Sequence, residues 1–419
     1  MSSNPRIVIV SEAFPPDYSG AGLGAQFLAK SLNNKDLLYR VITRTKSRFS
    51  DENSPFYIDE IKFYRIVYFQ QLLNRVTNNR YLKLLILLLD FPFVFIKTTF
   101  FFFRNKNHVD VFFFVSTKWI SLVLSFWCVL FKKKYIIETT LLGHDDPIVN
   151  TTKKYIWFKR KIKNYQFKNA SAVTNISMLL ANQCHKFGLP SKKVFTIPYS
   201  VNLSKFHSVE YDYKIELKKR LLKNHLSYPI ILFTGVLIAR KGIDIVYNTF
   251  KEILKDYPDA VLIFAGPQGA PGQELHLAEI IRDIKAEGIE KHVVFSGAVT
   301  NIEDYFNIAD LFFFPSREEG FGRVFIEAMA CELPVVTKEI VGITDYIFGN
   351  NENGIVVKSE HTTDFVNAIK NVLEDSDLRN TLISNARIKV NTEFSDKEVL
   401  NKYLGLFEWV LNTKLNFQD

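Results

Sequence analysis

Residues 311–337 read LFFFPSREEGFGRVFIEAMACELPVVT. Leu311–Phe314 is a short apolar run stopped by Pro315, which predicts a buried strand ending there. Ser316–Glu319 is polar, and Gly320-Phe321-Gly322 gives the loop a permissive backbone. Arg323–Ala330 has helical spacing, and Pro334–Thr337 returns as a second apolar strand. Strand, glycine loop, helix and strand make the repeating unit of a parallel sheet with helical crossovers. The unpaired N–H groups at such a helix start suit an anionic group.

The same unit recurs on both sides. Downstream of residue 228, strands are predicted at Pro229–Thr234, Ala260–Ala265, His292–Phe295 and Gly354–Val357. Helices are predicted at Ile243–Leu254, Ile302–Ala309, Thr362–Glu374, Leu378–Thr392 and Lys397–Leu411. Upstream, RIVIV at 6–10 precedes a loop with Gly20, Gly22 and Gly24, then a helix over Ala25–Leu32. Further strands are expected at Asp110–Val115, Tyr135–Thr139, Ala172–Ile176 and Val194–Pro198. Residues 203–228 are polar and read as a linker. The fold class is therefore α/β: two Rossmann-like parallel-sheet domains, 1–205 and 206–396, facing across a cleft. The helix near 397–419 is expected to pack back on the first domain. Ligands of such sheets bind at the carboxyl ends of the strands, so the loops there should carry the chemistry.

Composition narrows the class. At 419 residues the chain is long enough for two domains, and 47% hydrophobic against 23% charged excludes disorder. Three widely spaced cysteines, Cys128, Cys184 and Cys331, give neither a disulfide framework nor zinc-ligand spacing. No signal peptide is read at the N-terminus, because the apolar run Ile7–Val10 is too short. A cytoplasmic location is expected. Residues 1–205 hold 30 Lys and Arg against 12 Asp and Glu, a net +18, whereas the remainder is −9. A basic half points to an anionic partner. The apolar run 81–103 and the run Val111–Phe131, ending in Lys132-Lys133-Lys134, favour a membrane surface over nucleic acid. Charges and Pro92 interrupt the first run, so it reads as an interfacial element or a core helix rather than a span. The second reads as a core strand and helix.

Three stretches carry candidate chemistry. Glu319 in the loop and Glu327 one turn into the helix either accept hydrogen bonds from sugar hydroxyls beside a phosphate, or cap the helix and face solvent. In FTGVLIARKGIDI (233–245), Gly235 turns the chain and Arg240-Lys241 precede a helix; they form a diphosphate clamp or a solvated pair. SEAFPPDYSGAGLG (11–24) permits close backbone approach to a ligand but is neither a dinucleotide fingerprint nor a P-loop. The one Asp-x-Asp, Asp375-Ser376-Asp377, falls between two helices, where a turn or N-cap is expected rather than a metal site.

In ordered combination these stretches resemble the retaining GT-B glycosyltransferases of glycosyltransferase family 4. The resemblance runs over nearly the full length. It includes the opening loop, IPYSVNLSKF (197–206), the ARKG loop, IFAGPQG (263–269), SGAV (296–299) and Glu319–seven residues–Glu327. It implies transfer of a sugar from a nucleoside diphosphate sugar, with retention and without a protein-held metal. The acceptor would be a saccharide, lipid-linked, at the cytoplasmic membrane face. By the resemblance Glu319 contacts donor-sugar hydroxyls and Glu327 the ribose. Phe321 and Gly322 lie beside the sugar, Val299 is near the nucleobase, and Arg240, Lys241 and the Arg323 helix start hold the diphosphate. Gly20, Gly22 and Gly235 shape the donor loops. Three positions depart from the pattern. Val236 stands where an arginine is usual, leaving Arg240 as its substitute, Ser200 stands where a glycine is usual, and the histidine expected before Gly143 is displaced to His144. A GT-B nucleotide-sugar epimerase and a non-catalytic sugar-nucleotide-binding subunit share these features.

Overall fold

The computed structural model describes residues 4–12, 14, 19–45, 61–67, 80–143, 145–148, 156–222, 228–269 and 275–415. The chain divides into two units, Met1–Pro198 with Leu400–Asp419, and Tyr199–Val399.

The first unit is built on seven strands: β1 (Ile7–Ser11), β2 (Leu38–Thr45), β3 (Phe63–Val67), β4 (Val111–Val115), β5 (Lys134–Thr139), β6 (Ala172–Asn175) and β7 (Val194–Thr196). Their order is β3-β2-β1-β4-β5-β6-β7, and every pairing is parallel. β1 and β4 are buried along their whole length, as expected of strands covered on both faces. The run 111–131 is a core strand followed by the helix Trp119–Leu130. The run 81–103 lies in the helix Arg80–Asn105, which continues through Pro92. β2 and β3 were not anticipated: LYRVITRT and FYRIV mix arginine and tyrosine with the aliphatic residues, so neither reads as a plain apolar run. The opening helix is longer than expected, Gly20–Asn34, and takes in Gly20, Gly22 and Gly24. The cause is Ser19, whose hydroxyl accepts from Gly22 N at 2.9 Å and caps the helix upstream of the glycines. The helix Asp396–Leu411 begins in the second unit and ends in the first. There its Tyr403 and Phe407 meet Phe113 of β4, each with ring centroids 5.8 Å apart.

The second unit carries β8 (Ile230–Thr234), β9 (Val261–Ala265), β10 (Val293–Gly297), β11 (Leu311–Phe314), β12 (Val335–Lys338) and β13 (Ile355–Val357). The order is β10-β9-β8-β11-β12-β13, again all parallel. Part of the stretch read as a linker is the helix Tyr211–Leu221. It buries Leu217 alone and carries Asp212 in its first turn and Lys218, Lys219 and Arg220 in its last, charges that suit the helix dipole. Asp375 caps the helix Ser376–Lys389, accepting from Leu378 N at 2.9 Å.

Candidate functional site

In the second sheet β8 lies between β9 and β11. The chain winds outward from β8 in both directions, which makes the carboxyl ends of β8 and β11 the place where open α/β sheets bind ligands. Three loops converge there. After β8 and β9, Gly235 N donates to Ala265 O at 2.9 Å and Leu237 N to Pro267 O at 3.0 Å. The approach requires glycine: at Gly266, with φ of +156°, a Cβ would lie 1.9 Å from Gly235 O.

The loops after β8 and β11 are tied more tightly. Arg317 N donates to Arg240 O at 2.9 Å, and its guanidinium reaches Ala239 O at 2.8 Å. The same guanidinium grips both oxygens of Asp244, each at 2.8 Å. Burial pushes the Asp244 carboxyl up, but Arg317 outweighs it and holds the group below the usual range. Gly242, at φ +77°, begins the helix Ile243–Asp256 against Pro315, where a Cβ would lie 2.2 Å from the Pro315 carbonyl oxygen.

This clamp sets the candidate residues side by side. Lys241 Nζ pairs with Glu319 Oε1 across 78 residues of sequence, and both groups are mostly buried. Glu319 is thus neither a helix cap nor a solvated loop carboxylate. Arg240 stays exposed and donates from Nη1 to Glu318 O at 2.6 Å. Gly235 makes the turn at φ +133°, and Val236 beside it is exposed. Gly322, at φ +82°, precedes the helix Arg323–Ala330. Phe321 is buried against Tyr199 and Phe394, at 5.8 and 5.9 Å.

Glu327 lies one turn further on, mostly buried, with Arg323 Nε 3.8 Å away. Burial lifts its carboxyl above the usual range, opposed by the charges of Arg323 and Lys205. Lys205 was not anticipated. It pairs with Glu303 at 3.3 Å and reaches Thr300 O at 3.5 Å, next to Val299 beyond β10. Its signal was only its place at the end of the IPYSVNLSKF segment. Arg317 was also missed as a positioning residue, because its partner Asp244 lies 73 residues away.

The remaining candidates belong to the first unit. Gly20 and Gly22 form the start of the helix after β1. His144 lies outside the described residues. Its neighbour Asp145 is engaged by Thr140 Oγ1 at 2.5 Å and Thr117 N at 3.4 Å, and Lys163 Nζ donates to Asp146 O at 3.0 Å. Close by in sequence, Glu138 at the end of β5 is fully buried and accepts from Tyr403 Oη at 2.5 Å. Burial pushes its carboxyl up to about 7 against the pull of the Tyr403 bond, with Asp145 adding to the rise.

Comparison with known proteins bears on the class of the protein. Residues 214–389, which hold all three converging loops, match the family described as Glycosyl transferases group 1. The chain is 24% identical to N-acetyl-alpha-D-glucosaminyl L-malate synthase of Bacillus anthracis over 67% of this chain and 69% of that protein. It is 29% identical to the capsular polysaccharide biosynthesis glycosyltransferase CapM of Staphylococcus aureus, over 47% of this chain and 50% of that one. Among solved structures, Anabaena HepE in complex with UDP and glucose aligns with a TM-score of 0.73 at 17% identity, over 97% of this chain and 100% of its own. Residues 214–389 match the glycosyl transferases group 1 family, the two parallel-sheet units have the GT-B fold, and the chain is a glycosyltransferase.

Proposed function

We propose that the protein moves a sugar from a nucleoside diphosphate sugar to a lipid-linked saccharide acceptor, with retention at the anomeric carbon, during surface polysaccharide or glycolipid synthesis. The observation that carries the reading is the Lys241–Glu319 pair, held between the β8 and β11 loops inside the segment that matches the group 1 family. A similar fold captured with UDP and glucose supports the donor class, and a relative named for capsular polysaccharide biosynthesis supports the role in surface polysaccharide synthesis. Retention rests on the resemblance to family 4.

In this reading departure of the diphosphate is the costly event, and fixed positive groups aimed at it lower the barrier. Lys241 supplies one charge, and the free N–H groups at Gly322 and Arg323 supply a helix-start dipole. Arg240 supplies the guanidinium that Val236 lacks, by exchanging its contact with the Glu318 carbonyl for a phosphate oxygen. No metal or other cofactor is assigned a part. Without donor, Lys241 and Glu319 neutralise each other; with donor, Lys241 turns to phosphate and Glu319 accepts from sugar hydroxyls. Glu327 accepts from the ribose, and the charges of Arg323 and Lys205 oppose the rise that burial imposes on its carboxyl.

The test is transfer and donor hydrolysis with Lys241→Ala and Glu319→Ala. Each should lower turnover by roughly 10²–10³-fold, as loss of one charge-stabilising group does, while the fold persists. Full activity in both variants would sink the assignment. Release of an altered free sugar or glycal, with no acceptor glycosylated, would mark an epimerase instead.

A further inference from the structure

We infer that the face made by the helices Arg80–Asn105 and Trp119–Leu130 seats the protein on an anionic lipid bilayer. The two helices pack side by side in the first unit. Their inner sides enter the core: Phe102 stacks on Phe112 of β4 and on Trp127, at 5.9 and 6.3 Å. Their outer sides do not become polar. Ile96 is 65% exposed, Phe100 59% and Leu130 60%, and Phe103, Trp119 and Phe126 stand out beside them.

The aromatic rings are continuous. Phe91 meets Trp119 at 4.9 Å and Phe95 at 6.2 Å, Phe95 meets Trp127 at 6.5 Å, and Trp127 meets Phe103 at 5.0 Å and Phe126 at 5.1 Å, so rings from both helices form one ridge. Scattered surface apolar residues need no explanation, but a contiguous exposed ridge marks an interaction site.

Charge selects the occupant. Between residues 91 and 134 there are seven Lys and Arg and one carboxylate, Asp110, which accepts from Arg6 N at 2.8 Å. Asp90, just before this stretch, is tied to Arg44 at 2.6 Å. The basic groups border the ridge: Lys106 Nζ lies 4.0 Å from the Phe131 ring centroid, and Lys97, Arg104, Lys118 and Lys132 are exposed. Apolar side chains at the summit with cations around them match the acyl and headgroup layers of an anionic leaflet. A second copy of the chain would set one basic border against another, because a two-fold interface pairs each patch with itself. Among the described residues no helix is long and apolar enough to cross a membrane, so this face lies along the surface.

The inference deepens the proposed lipid-linked acceptor and rests on that reading for its purpose, but its test needs no sugar transfer. Full-length protein is floated with vesicles of phosphatidylcholine, with or without a third of phosphatidylglycerol. Wild type should float with the anionic vesicles at low salt and be released as salt rises. Ile96→Glu with Leu130→Glu should lower the partition coefficient at least about tenfold. Lys97→Glu with Lys132→Glu should lower it roughly fivefold or more per charge, and this pair decides the matter if the first variant unfolds by circular dichroism. Lys241→Ala should float like wild type, so a failed transfer reading leaves this result standing. The inference is overturned if wild type stays out of the vesicle fraction at low salt, or if both paired variants float unchanged. It is equally overturned if sedimentation shows wild type as a dimer that the same substitutions dissociate.

Discussion

Gly242→Ala probes the junction on which the site depends. Gly242 has φ of +77°, and an added Cβ would stand 2.2 Å from the Pro315 carbonyl oxygen. A left-handed alanine costs about 1–2 kcal/mol. Relieving the overlap needs a displacement of roughly 1 Å between the β8 and β11 loops, a form of overpacking that costs about 1–3 kcal/mol. The sum, about 2–5 kcal/mol, falls within the stability of an ordinary domain, so the variant should fold with a melting temperature lower by roughly 5–15 °C. The displacement separates Lys241 from Glu319, and misplacing reacting groups by 1 Å costs roughly 10²-fold in rate. The control is Gly288→Ala, in the same unit at φ +68° with nothing within 4 Å of its Cβ. It should lose only the backbone cost of about 1–2 kcal/mol and keep its rate. Thermal unfolding and initial transfer rates measure both variants. If Gly242→Ala matched Gly288→Ala in stability and wild type in rate, the clamped-loop account would be wrong.

Three further outcomes follow from individual contacts. Glu327→Ala should raise KM for the donor more than it lowers kcat, because ribose binding is shared by ground and transition states; an equal loss confined to kcat contradicts the assignment. Arg317→Lys removes the two-pronged grip on Asp244 and should lower kcat while leaving the unit folded, with a smaller loss than Arg317→Ala. Glu138 has a folded-state pKa raised to about 7 from an ordinary 4.5. Folding favours its protonated form, so its stabilising contribution is complete below about pH 4.5 and is lost as pH rises through about 7, with a slope of at most about 1.4 kcal/mol per unit. Urea unfolding of Glu138→Gln, which keeps an acceptor for Tyr403, should show a flatter pH dependence than wild type across that window; an unchanged slope refutes the origin in Glu138.

The alternation of strands and helices was legible wherever burial left an unmixed pattern. Leu311–Phe314, residues 230–233 and Val261–Ala265 are covered on both faces, and each appears as an uninterrupted apolar run. β2 and β3 lie at the other extreme: their arginines and tyrosines break the run, and no local feature separates such segments from loop. The helix Tyr211–Leu221 escaped because one buried leucine gives no stripe. Among the candidate residues, Glu319, Lys241 and Glu327 stood out through their spacing to glycines and helix starts. The partnerships were not: Lys241 with Glu319 and Arg317 with Asp244 each join loops more than 70 residues apart, and only the adjacency of β8 and β11 brings them together. Val236 remains the position where the expected guanidinium is absent, and the structure places Arg240 at the neighbouring loop carbonyl of Glu318.

The central claim is donor-dependent sugar transfer through the paired loops. It is tested most directly by incubating the purified protein with radiolabelled UDP- and GDP-sugars and lipid-linked acceptors, beside Lys241→Ala. The account predicts that wild type releases nucleoside diphosphate and labels an acceptor with at least one donor, and that Lys241→Ala does so roughly 10²–10³-fold more slowly. Turnover in which folded Lys241→Ala equals wild type would contradict it, as would a folded wild type that neither binds nor cleaves any donor.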